Sequence, residues 1–541
     1  MQSTKQLNLL RKAWQWGSLI LALYLLNFAL SFHNVWPTLG ITTRHDLSVE
    51  VAALVFFISL YTWKIGKIST VVITLLASLL TLMSLARYIE VTAPALFGRR
   101  VNLYWDAQYL PHVAEMMMEV ASPIQLILLS LGSAISLAVI FYLLHLSLKR
   151  VLSALEEPLT QHVLRILMGI LIVGYTMGHI NQPIHTLKYY SLPLSKTYWK
   201  QLEFISSVLA KDINDVLPST NPLGNFDLPG LNNTDVIVQF IESYGATAYD
   251  TPFIAEKISD SKNMFTSAIE STGRRVVSGF IESPTFGGNS WLSHSSFMTG
   301  LDIRHLSTYE LLVTQDRPTL ADRFRTNGYR PVALMPGLRT EWPEGSFYGF
   351  DIIYGEQELN YQGPDFGWWR IPDQFSLARI FNLEINKPIR KPLFVFFTTI
   401  TPHMPFRPTP PYQPDWQRLV SENPFNESDV NSALALRPEW TNLQPAYADT
   451  LSYTFEYLAG YLRSQPEQKF TWIILGDHQP PASVSGIDVR WDVPVHIISD
   501  NNVIIDRLIN KGFVEGVSPA IKPVDTMHQL PVTLLDVFSG A

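Results

Sequence analysis

The pattern of hydrophobic positions divides the chain into two regions. Long uncharged apolar runs fill the first 180 residues, with 20 residues at Ala13–Phe32, 19 at Ile68–Ala86 and 25 at Ile124–Leu148. Each run is long enough to cross a hydrocarbon core of about 30 Å as a helix. Two weaker runs, Leu47–Trp63 with Glu50 near one end and the shorter Ile166–Ile180, are interpreted as two further spans. The pattern therefore predicts a five-span α-helical membrane domain over residues 1–182.

Basic residues are distributed unevenly among the segments that join these runs. One side of the predicted membrane has eight, namely Lys5, Arg11, Lys12, Lys64, Lys67, Lys149, Arg150 and Arg165, and the other has four, namely Arg44, Arg87, Arg99 and Arg100. The positive-inside rule then places the N-terminus in the cytoplasm. Five spans put the chain after residue 182 on the periplasmic or extracellular side of the inner (plasma) membrane. The first run is not followed by a small-residue cleavage site, so we expect a retained anchor.

Residues 183–232 have a composition of their own. Apolar residues recur there at three- and four-residue steps, namely Trp199, Leu202, Ile205, Leu209, Ile213 and Val216. This spacing predicts a helix with one apolar face, which either lies on the membrane surface or packs against the outer domain. The following stretch, VLPSTNPLGNFDLPGLNN, is typical of a linker.

Beyond the linker, short apolar runs alternate with helical patterns. The predicted strands are VIVQFI (236–241), FVFFTTI (394–400), WIILG (472–476) and VPVHII (493–498), and the predicted helices include 319–328 and 445–464. Such alternation predicts an α/β domain with a mostly parallel sheet over residues 233–541. In such sheets, functional residues gather at the carboxyl ends of the strands.

Acidic and imidazole side chains follow three of these predicted strands. Glu242 follows the first strand, Asp477 and His478 follow the strand at 472–476, and His403 comes shortly after the strand at 394–400. Carboxylates and imidazoles are ligands that suit Mn²⁺, Mg²⁺ or Zn²⁺. A turn residue and a surface histidine would explain one Asp-His pair, but three such strand ends in one sheet favour a metal site.

The stretch PTFGGNSWLSH (284–294) places Ser290 after two glycines and before a predicted helix. Ser290 is either the N-cap of that helix or a nucleophile that a neighbouring divalent ion activates, and the two roles are compatible. The helix N-terminus would also favour a phosphate or sulfate group. His294, one helical turn further on, either faces the pocket or packs the helix.

Residues outside these motifs also have predicted roles. His496 lies inside VPVHII and is interpreted as a core residue with satisfied hydrogen bonds. Asp373 and the aromatic run FGWWR (366–370) form either a pocket wall or packing beneath a loop.

Composition excludes several classes of protein. The chain has 541 residues, 47% of them hydrophobic, and a mean hydropathy of +0.11, which is too apolar for a wholly soluble protein. It has no cysteine, so disulfides and thiolate metal sites are excluded. A net charge of −7 without a basic cluster argues against nucleic acid as a partner.

Four motifs in order, FIESYG, GGNS, TPHMPF and LGDH, resemble the membrane-anchored sulfatase-like branch of the alkaline phosphatase superfamily. This branch includes lipoteichoic acid synthase, a phosphoglycerol transferase, and the phosphoethanolamine transferases. The resemblance implies a sulfatase-type α/β fold and one metal, Mn²⁺ first with Zn²⁺ or Mg²⁺ as alternatives, held by Glu242, Ser290, Asp477 and His478. It also implies that Ser290 takes a phospho-head-group from a membrane phospholipid, and that an envelope glycan, a lipid acceptor or water then removes it. His403 would bind the transferred phosphate or assist the leaving group.

The sequence departs from this branch at three points. The common nucleophile there is threonine, and serine keeps the hydroxyl. The Trp-x-Arg element that contacts phosphoglycerol in lipoteichoic acid synthase corresponds to Trp342 with Glu344 in the arginine position, and Arg339 could supply the charge. Phosphoethanolamine transferases usually carry disulfides, which this chain cannot form.

These departures leave the predicted function at the level of a phosphoglycerol- or phosphoethanolamine-type transferase. The alternatives are a sulfatase-family phosphodiesterase or sulfuric ester hydrolase, and a catalytically silent relative that binds envelope components. A true sulfatase is disfavoured because the chain has no cysteine and no S-x-P-x-R motif from which formylglycine could be made.

Overall fold

The computed structural model describes residues 2–35, 38–97, 101, 103–107, 110, 114, 118, 122–180, 189–209, 217–218, 220–339, 342–367, 370–486 and 488–540. The chain forms two compact units, Met1–Pro94 with Arg100–Lys211, and Ala95–Arg99 with Asp212–Ala541.

The N-terminal region is helical. Its helices are α1 (Gln2–Ser31), α2 (Val49–Lys64), α3 (Thr70–Phe97), α4 (Leu103–Ala107), α5 (Pro123–Ala154), α6 (Pro158–Ile180) and α7 (Leu194–Leu209). A short strand, β1 (His33–Asn34), pairs antiparallel with β2 (Ile41–Thr42). Four helical segments are long and apolar enough to cross a membrane, namely Arg11–Ser31, Thr70–Pro94, Pro123–Ala154 and Pro158–Gly178.

Helix α2 differs from the five-span prediction. The weak run at 166–180 belongs to a helix of sufficient length, but α2 has only 16 residues. At a rise of 1.5 Å per residue it is about 24 Å long, shorter than a typical hydrocarbon core. Four candidate spans are therefore found among the described residues where five were predicted.

Helix α7 contacts α3, a neighbour that neither predicted alternative named. Thr197 donates a hydrogen bond to Glu90 (3.0 Å), and the hydroxyl of Tyr198 donates to the carbonyl of Ala86 (3.2 Å). Trp199 and Leu202 are 63% and 57% exposed, so the apolar stripe is not covered by this contact. The predicted stripe positions 213 and 216 lie outside the described residues.

The second unit has an α/β architecture. Its helices are α8 (Thr247–Asp250), α9 (Pro252–Lys257), α10 (Ser259–Ser271), α11 (Ser290–Thr299), α12 (Leu306–Val313), α13 (Leu320–Thr326), α14 (Glu356–Leu359), α15 (Asp373–Ile380), α16 (Trp416–Leu419), α17 (Glu427–Ala435), α18 (Gln444–Ser464), α19 (Ala482–Ser485), α20 (Asn502–Asn510) and α21 (Leu530–Ser539). Its strands are β3 (Asp235–Ile241), β4 (Arg275–Glu282), β5 (Arg330–Leu334), β6 (Ile352–Tyr354), β7 (Leu393–Thr398), β8 (Phe470–Gly476), β9 (Asp492–Ser499), β10 (Val514–Glu515) and β11 (Asp525–Thr526).

The strands form one mixed sheet in the order β10-β4-β9-β8-β3-β7-β5-β6, with β11 also beside β4. Neighbours from β8 to β6 run parallel, in agreement with the predicted mostly parallel sheet. Strand β9 runs antiparallel to both β8 and β4, so the sheet is mixed rather than parallel throughout. Strands β4, β5 and β6 were not predicted.

Helices cover both faces of the sheet. Successive side chains of a strand point to opposite faces, so a strand that is buried along its whole length packs against both layers of helices. Alternate residues such as Val395 and Trp472 join the apolar cluster that includes buried residues of α10 and α18. On the other face, Phe394 stacks on Phe324 of α13 with ring centroids 4.2 Å apart, and Phe240 contacts Phe297 of α11 at 5.5 Å. The core therefore has three layers.

His496 of β9 is buried and hydrogen-bonded, as the sequence predicted. Its Nδ1 lies 2.7 Å from the Ser278 hydroxyl, which itself donates to the Gly516 carbonyl, so Nδ1 carries the proton. Its Nε2 lies 3.0 Å from the Tyr244 hydroxyl and is free to accept. Burial lowers the pKa of His496 to about 3, so the folded imidazole is neutral.

We expect His496 to make the folded state sensitive to acid. The unfolded imidazole takes up a proton near pH 6.5 while the folded one stays neutral to about pH 3, so stability falls as the pH is lowered through that interval. His496→Asn, which keeps a donor toward Ser278, should remove about 1.4 kcal/mol per pH unit from the slope of unfolding free energy between pH 6 and pH 4. Denaturant unfolding of both proteins at several pH values measures this slope. Equal slopes would show that His496 does not carry the effect.

Candidate metal and nucleophile site

The register of the central sheet brings the two acidic strand ends together. Strand β3 pairs in parallel with β8, and Ile241 lies opposite Gly476. The next residue on each strand is Glu242 and Asp477, so the two carboxylates leave the sheet side by side. On the other side of β3, the Glu242 backbone N–H donates to the Thr399 hydroxyl at the end of β7 (3.0 Å).

A close backbone approach permits this arrangement. A Cβ atom on Gly476 would lie 1.8 Å from the Tyr244 carbonyl oxygen, so only glycine fits there. Ser243 adopts a positive φ of 57°, which is uncommon for a residue with a side chain. Its backbone N–H donates to Asp477 (2.8 Å) and its hydroxyl donates to Glu242 (3.0 Å). Ser243 therefore orients both carboxylates.

His478 presents its Nε2 atom to the site. Its Nδ1 lies 2.8 Å from the backbone carbonyl of Gln479, which can only accept, so Nδ1 carries a proton. In the neutral ring the lone pair is then on Nε2, which lies 3.4 Å from Glu242 Oε1 and 3.7 Å from Asp477 Oδ2. The tautomer is the one that a metal ligand needs.

The turn before α11 delivers Ser290 to the same place. Phe286 forms a bridge with Gln479, and the Gly287 N–H donates to the Gln479 carbonyl (3.1 Å). Gly287 and Gly288 have φ of 66° and 143°, values that glycine adopts without strain. The N-cap of α11 is Asn289 in the left-handed region (φ 64°), without a side-chain capping bond.

Ser290 is the first residue of α11, so the N-cap alternative for its hydroxyl does not apply. Its Oγ donates to Glu242 Oε2 at 3.0 Å and lies 3.1 Å from His478 Nε2. The hydroxyl thus lies between a carboxylate oxygen and the imidazole Nε2 at the N-terminus of a helix. That terminus favours an anionic group such as phosphate.

The electrostatics of the cluster favour positive charge. Burial and then the adjacent Glu242 raise the pKa of Asp477. Burial would also raise the pKa of Glu242, but His478 and then His403 lower it below its ordinary value. Burial opposes the protonated form of His478, yet Asp477 and Glu242 raise its pKa to about 9. Two buried carboxylates at this spacing therefore hold a cation or a proton between them.

The donor set fits a divalent ion. One ligand atom each from Glu242, Asp477 and His478 lie within 4.8 Å of one another, and all three residues are buried. Two carboxylates and one imidazole, with the Ser290 hydroxyl beside them, suit Mn²⁺, Zn²⁺ or Mg²⁺. The donor types do not select among these metals.

A small aromatic cavity lies beside Ser290. It has a volume of about 120 Å³ and is lined by Trp291, His294, Met335, Leu338, Trp342, Tyr348, Phe350 and Phe396. Trp342 stacks on Tyr348 with ring centroids 5.2 Å apart. His294 both lines the cavity and packs on Phe240 (4.6 Å), so its two predicted alternatives coexist. Burial lowers the pKa of His294 to about 3, and among the described residues its buried Nε2 has no hydrogen-bond partner.

The other predicted site residues lie outside the cluster of Glu242, Asp477 and His478, and each has contacts of its own. His403 lies in the loop after β7, with Nδ1 2.7 Å from the Met404 carbonyl. Arg339 is ion-paired with Glu356 at 3.4 Å and is not among the described residues that line the cavity. Asp373 is buried and binds the backbone after β7, and the two tryptophans of FGWWR lie outside the described residues.

Several supporting residues were missed by the sequence analysis. Ser283 and Ser293 both donate to the carbonyl of Asp477, at 2.6 and 2.7 Å, and Tyr447 donates to the carbonyl of Ser243 at 2.8 Å. Serine and tyrosine are common throughout the chain, so no local pattern distinguishes these positions. Their role depends on strand pairing, which places the backbone groups they bind.

Comparisons with known proteins agree with this geometry. The sequence profile of the sulfatase family matches residues 238–495. The match confirms a sulfatase domain in the C-terminal half of the chain, as the four motifs predicted. A search of curated protein sequences found no match.

Several solved structures match part of the chain. The lipoteichoic acid synthase LtaP from Listeria monocytogenes is 14% identical, over 54% of this chain and 71% of that one, with a TM-score of 0.35. The C-terminal periplasmic domain of the phosphoethanolamine transferase EptC from Campylobacter jejuni is 13% identical, over 57% and 89%, with a TM-score of 0.36. The phosphoglycerol transferase GacH from Streptococcus pyogenes, in complex with sn-glycerol-1-phosphate, is 15% identical, over 62% and 89%, with a TM-score of 0.35. Similarity at this level does not assign a substrate.

We expect Asp477→Asn to abolish divalent-ion binding, because it removes one of two carboxylates from a three-residue donor set. Titration of Mn²⁺ into the purified protein, followed by calorimetry and by the rise in melting temperature, measures the loss. Asp492→Asn is the matched control, since Asp492 is a buried aspartate that pairs with Arg490 instead. A rise in melting temperature that survives in Asp477→Asn but not in Asp492→Asn would contradict this site.

Proposed function

The C-terminal half of the chain carries a sulfatase domain, and on that premise we propose that the protein is a metal-dependent phosphotransferase of the cell envelope. It moves a phospho-head-group of the phosphoglycerol or phosphoethanolamine type from a membrane phospholipid to an envelope glycan or lipid. Ser290 carries the group between the two steps.

The position of one hydroxyl supports this proposal most directly. Ser290 Oγ lies within hydrogen-bond distance of both Glu242 and His478, inside the only His/Asp/Glu cluster of metal-binding geometry among the described residues. A free serine is a poor nucleophile at neutral pH and needs a base or a metal to activate it. A catalytically silent binding protein would not need a nucleophile and a ligand set at the same point.

The first step forms the bond from Ser290 Oγ to the donor phosphorus as the bond from phosphorus to the diacylglycerol oxygen breaks. Ser290 donates its hydrogen bond to Glu242 Oε2, so that carboxylate is placed to take the hydroxyl proton. His403 binds the transferred phosphate and donates a proton to the diacylglycerol oxygen as that oxygen leaves. A divalent ion bound by Glu242, Asp477 and His478 would stabilise the charge on the serine and phosphate oxygens.

The second step reverses the first with a different oxygen. The oxygen of an acceptor hydroxyl attacks the phosphoserine and its proton passes to His403. The bond from phosphorus to Ser290 Oγ breaks, and Glu242 returns the proton to the serine. If water takes the place of the acceptor, the same residues act as a phosphodiesterase, the hydrolytic alternative. The aromatic cavity beside Ser290 would receive the head group, with Trp342 and His294 in contact with it.

The location follows from the apolar helices. At least four helices suit a membrane, which indicates membrane anchoring. We further propose that α2 completes a fifth span, with residues of its flanks in the interfacial layer. Five spans with the N-terminus in the cytoplasm put the catalytic domain on the outer side, where envelope acceptors are found.

Ser290→Ala should lower transfer by about three orders of magnitude or more, because it removes the hydroxyl that forms the covalent intermediate. Ser290→Thr, which keeps the hydroxyl, should retain activity within about tenfold of the native enzyme. The assay supplies vesicles of phosphatidylglycerol or phosphatidylethanolamine and follows product by mass spectrometry. The same spectra identify the group trapped on Ser290. Full activity in Ser290→Ala would show that another residue is the nucleophile.

The number of spans can be tested with a reporter enzyme that is active only outside the cytoplasm. Fusion after Leu217 should be active and fusion after Lys67 inactive if α2 crosses the membrane. If α2 does not cross, each later connection changes sides and the two results are exchanged. The exchanged result would contradict both the fifth span and the outward catalytic domain.

A further inference from the structure

Two adjacent side chains at the start of α15 hold the loop that carries His403. Asp373 and Gln374 have no solvent exposure. The Asp373 carboxylate accepts the backbone N–H of Ile400 on Oδ1 (2.8 Å) and that of Thr401 on Oδ2 (2.9 Å). These are the residues that lead from β7 towards His403.

Gln374 holds the far side of the same loop. Its Nε2 donates to the Gln413 carbonyl (2.6 Å), and its Oε1 accepts the Gln413 N–H (3.0 Å). The segment 400–413 is therefore fastened at both ends to one turn of one helix. Between the two ends, the His403 N–H donates to the Ile400 carbonyl (3.1 Å), and the Phe406 N–H donates to the His403 carbonyl (2.8 Å).

The chemistry at position 373 calls for a carboxylate. Two N–H donors point at two different oxygens, and an asparagine would turn an NH₂ group towards one of them. Burial raises the pKa of Asp373 to about 6 even though hydrogen bonds from the Thr401 side chain and from the N–H groups of Ile400 and Thr401 act in the opposite direction. Burial of a carboxylate without an ion-pair partner among the described residues costs folding free energy, so its presence here calls for a reason.

We propose that Asp373 is a positioning residue that fixes His403 against the transferred phosphate, acting through its hydrogen bonds to Ile400 and Thr401. This inference rests on the proposed function, since His403 must bind the phosphate. His403 is near enough to Glu242 to lower the pKa of that carboxyl, and the Met404 carbonyl orients the ring of His403. A displacement of about 1 Å in such a group can cost about a hundredfold in rate.

The opposite end of β7 supplies a matched control for Asp373. Asp235 is also buried, and its Oδ1 accepts the N–H of Leu393, the first residue of β7 (2.9 Å). It forms a bidentate pair with Arg390. Asp235→Asn therefore disturbs a buried aspartate of β3 that binds the start of β7, without touching the loop of His403.

The test compares Asp373→Asn, Asp235→Asn, His403→Ala and the double variant of Asp373 and His403 in the full-length protein. Amide hydrogen exchange at residues 400–404 should be faster in the two variants that carry Asp373→Asn, and not in Asp235→Asn or His403→Ala. Mn²⁺ affinity should be unchanged in that variant. Its transfer rate should fall about ten- to a hundredfold, to the level of His403→Ala, and the double variant should be no slower than His403→Ala alone.

Binding of inorganic phosphate to the Mn²⁺-loaded protein tests the inference without turnover. We expect Asp373→Asn and His403→Ala to weaken phosphate binding equally, and Asp235→Asn to leave it unchanged. Equal losses of phosphate affinity in a protein that transfers no head group would overturn the proposed function and support the positioning role. A loss in Asp373→Asn no greater than in Asp235→Asn, or a double variant in which the two losses multiply, would overturn the positioning role itself.

Discussion

The pairing of β3 with β8 is the constraint on which the site depends. Parallel register sets Ile241 against Gly476, and the next two side chains, Glu242 and Asp477, then share one point at the sheet edge. A shift by one residue would send one carboxylate to the opposite face of the sheet. Glycine at 476 is part of this constraint, because the backbone of Tyr244 occupies the space that a side chain would need.

The same arrangement is unfavourable for folding unless it is supported. Two carboxylates buried at close range repel each other, and Ser243 and Asn289 hold left-handed backbone conformations on either side of them. The surrounding hydrogen bonds from Ser243, and from Ser283 and Ser293 to the Asp477 carbonyl, offset part of this cost. Strain and like charge concentrated at one place are characteristic of a site that binds a cation or reacts.

Local pattern was sufficient for the long apolar strands and for the helices with clear periodicity. The four predicted strands are all present within one or two residues of their predicted bounds, since apolar residues dominate each of them. Strand β4 was missed although it is as long, because Ser278 and Gly279 interrupt its apolar run. Strands β5 and β6 have only five and three residues and are too short to show a clear hydrophobic periodicity.

The sequence by itself determined the chemical types at the strand ends, the glycines before Ser290 and the apolar helices of the first region, because these depend on residue identity and local spacing. Tertiary structure alone decided that β9 runs antiparallel, that Glu242 meets Asp477, and that Asp373 reaches the backbone beyond β7. Each of these is a contact between segments far apart in the chain. No local pattern specifies which strand or loop becomes the neighbour, since that choice depends on how all the apolar faces are buried together.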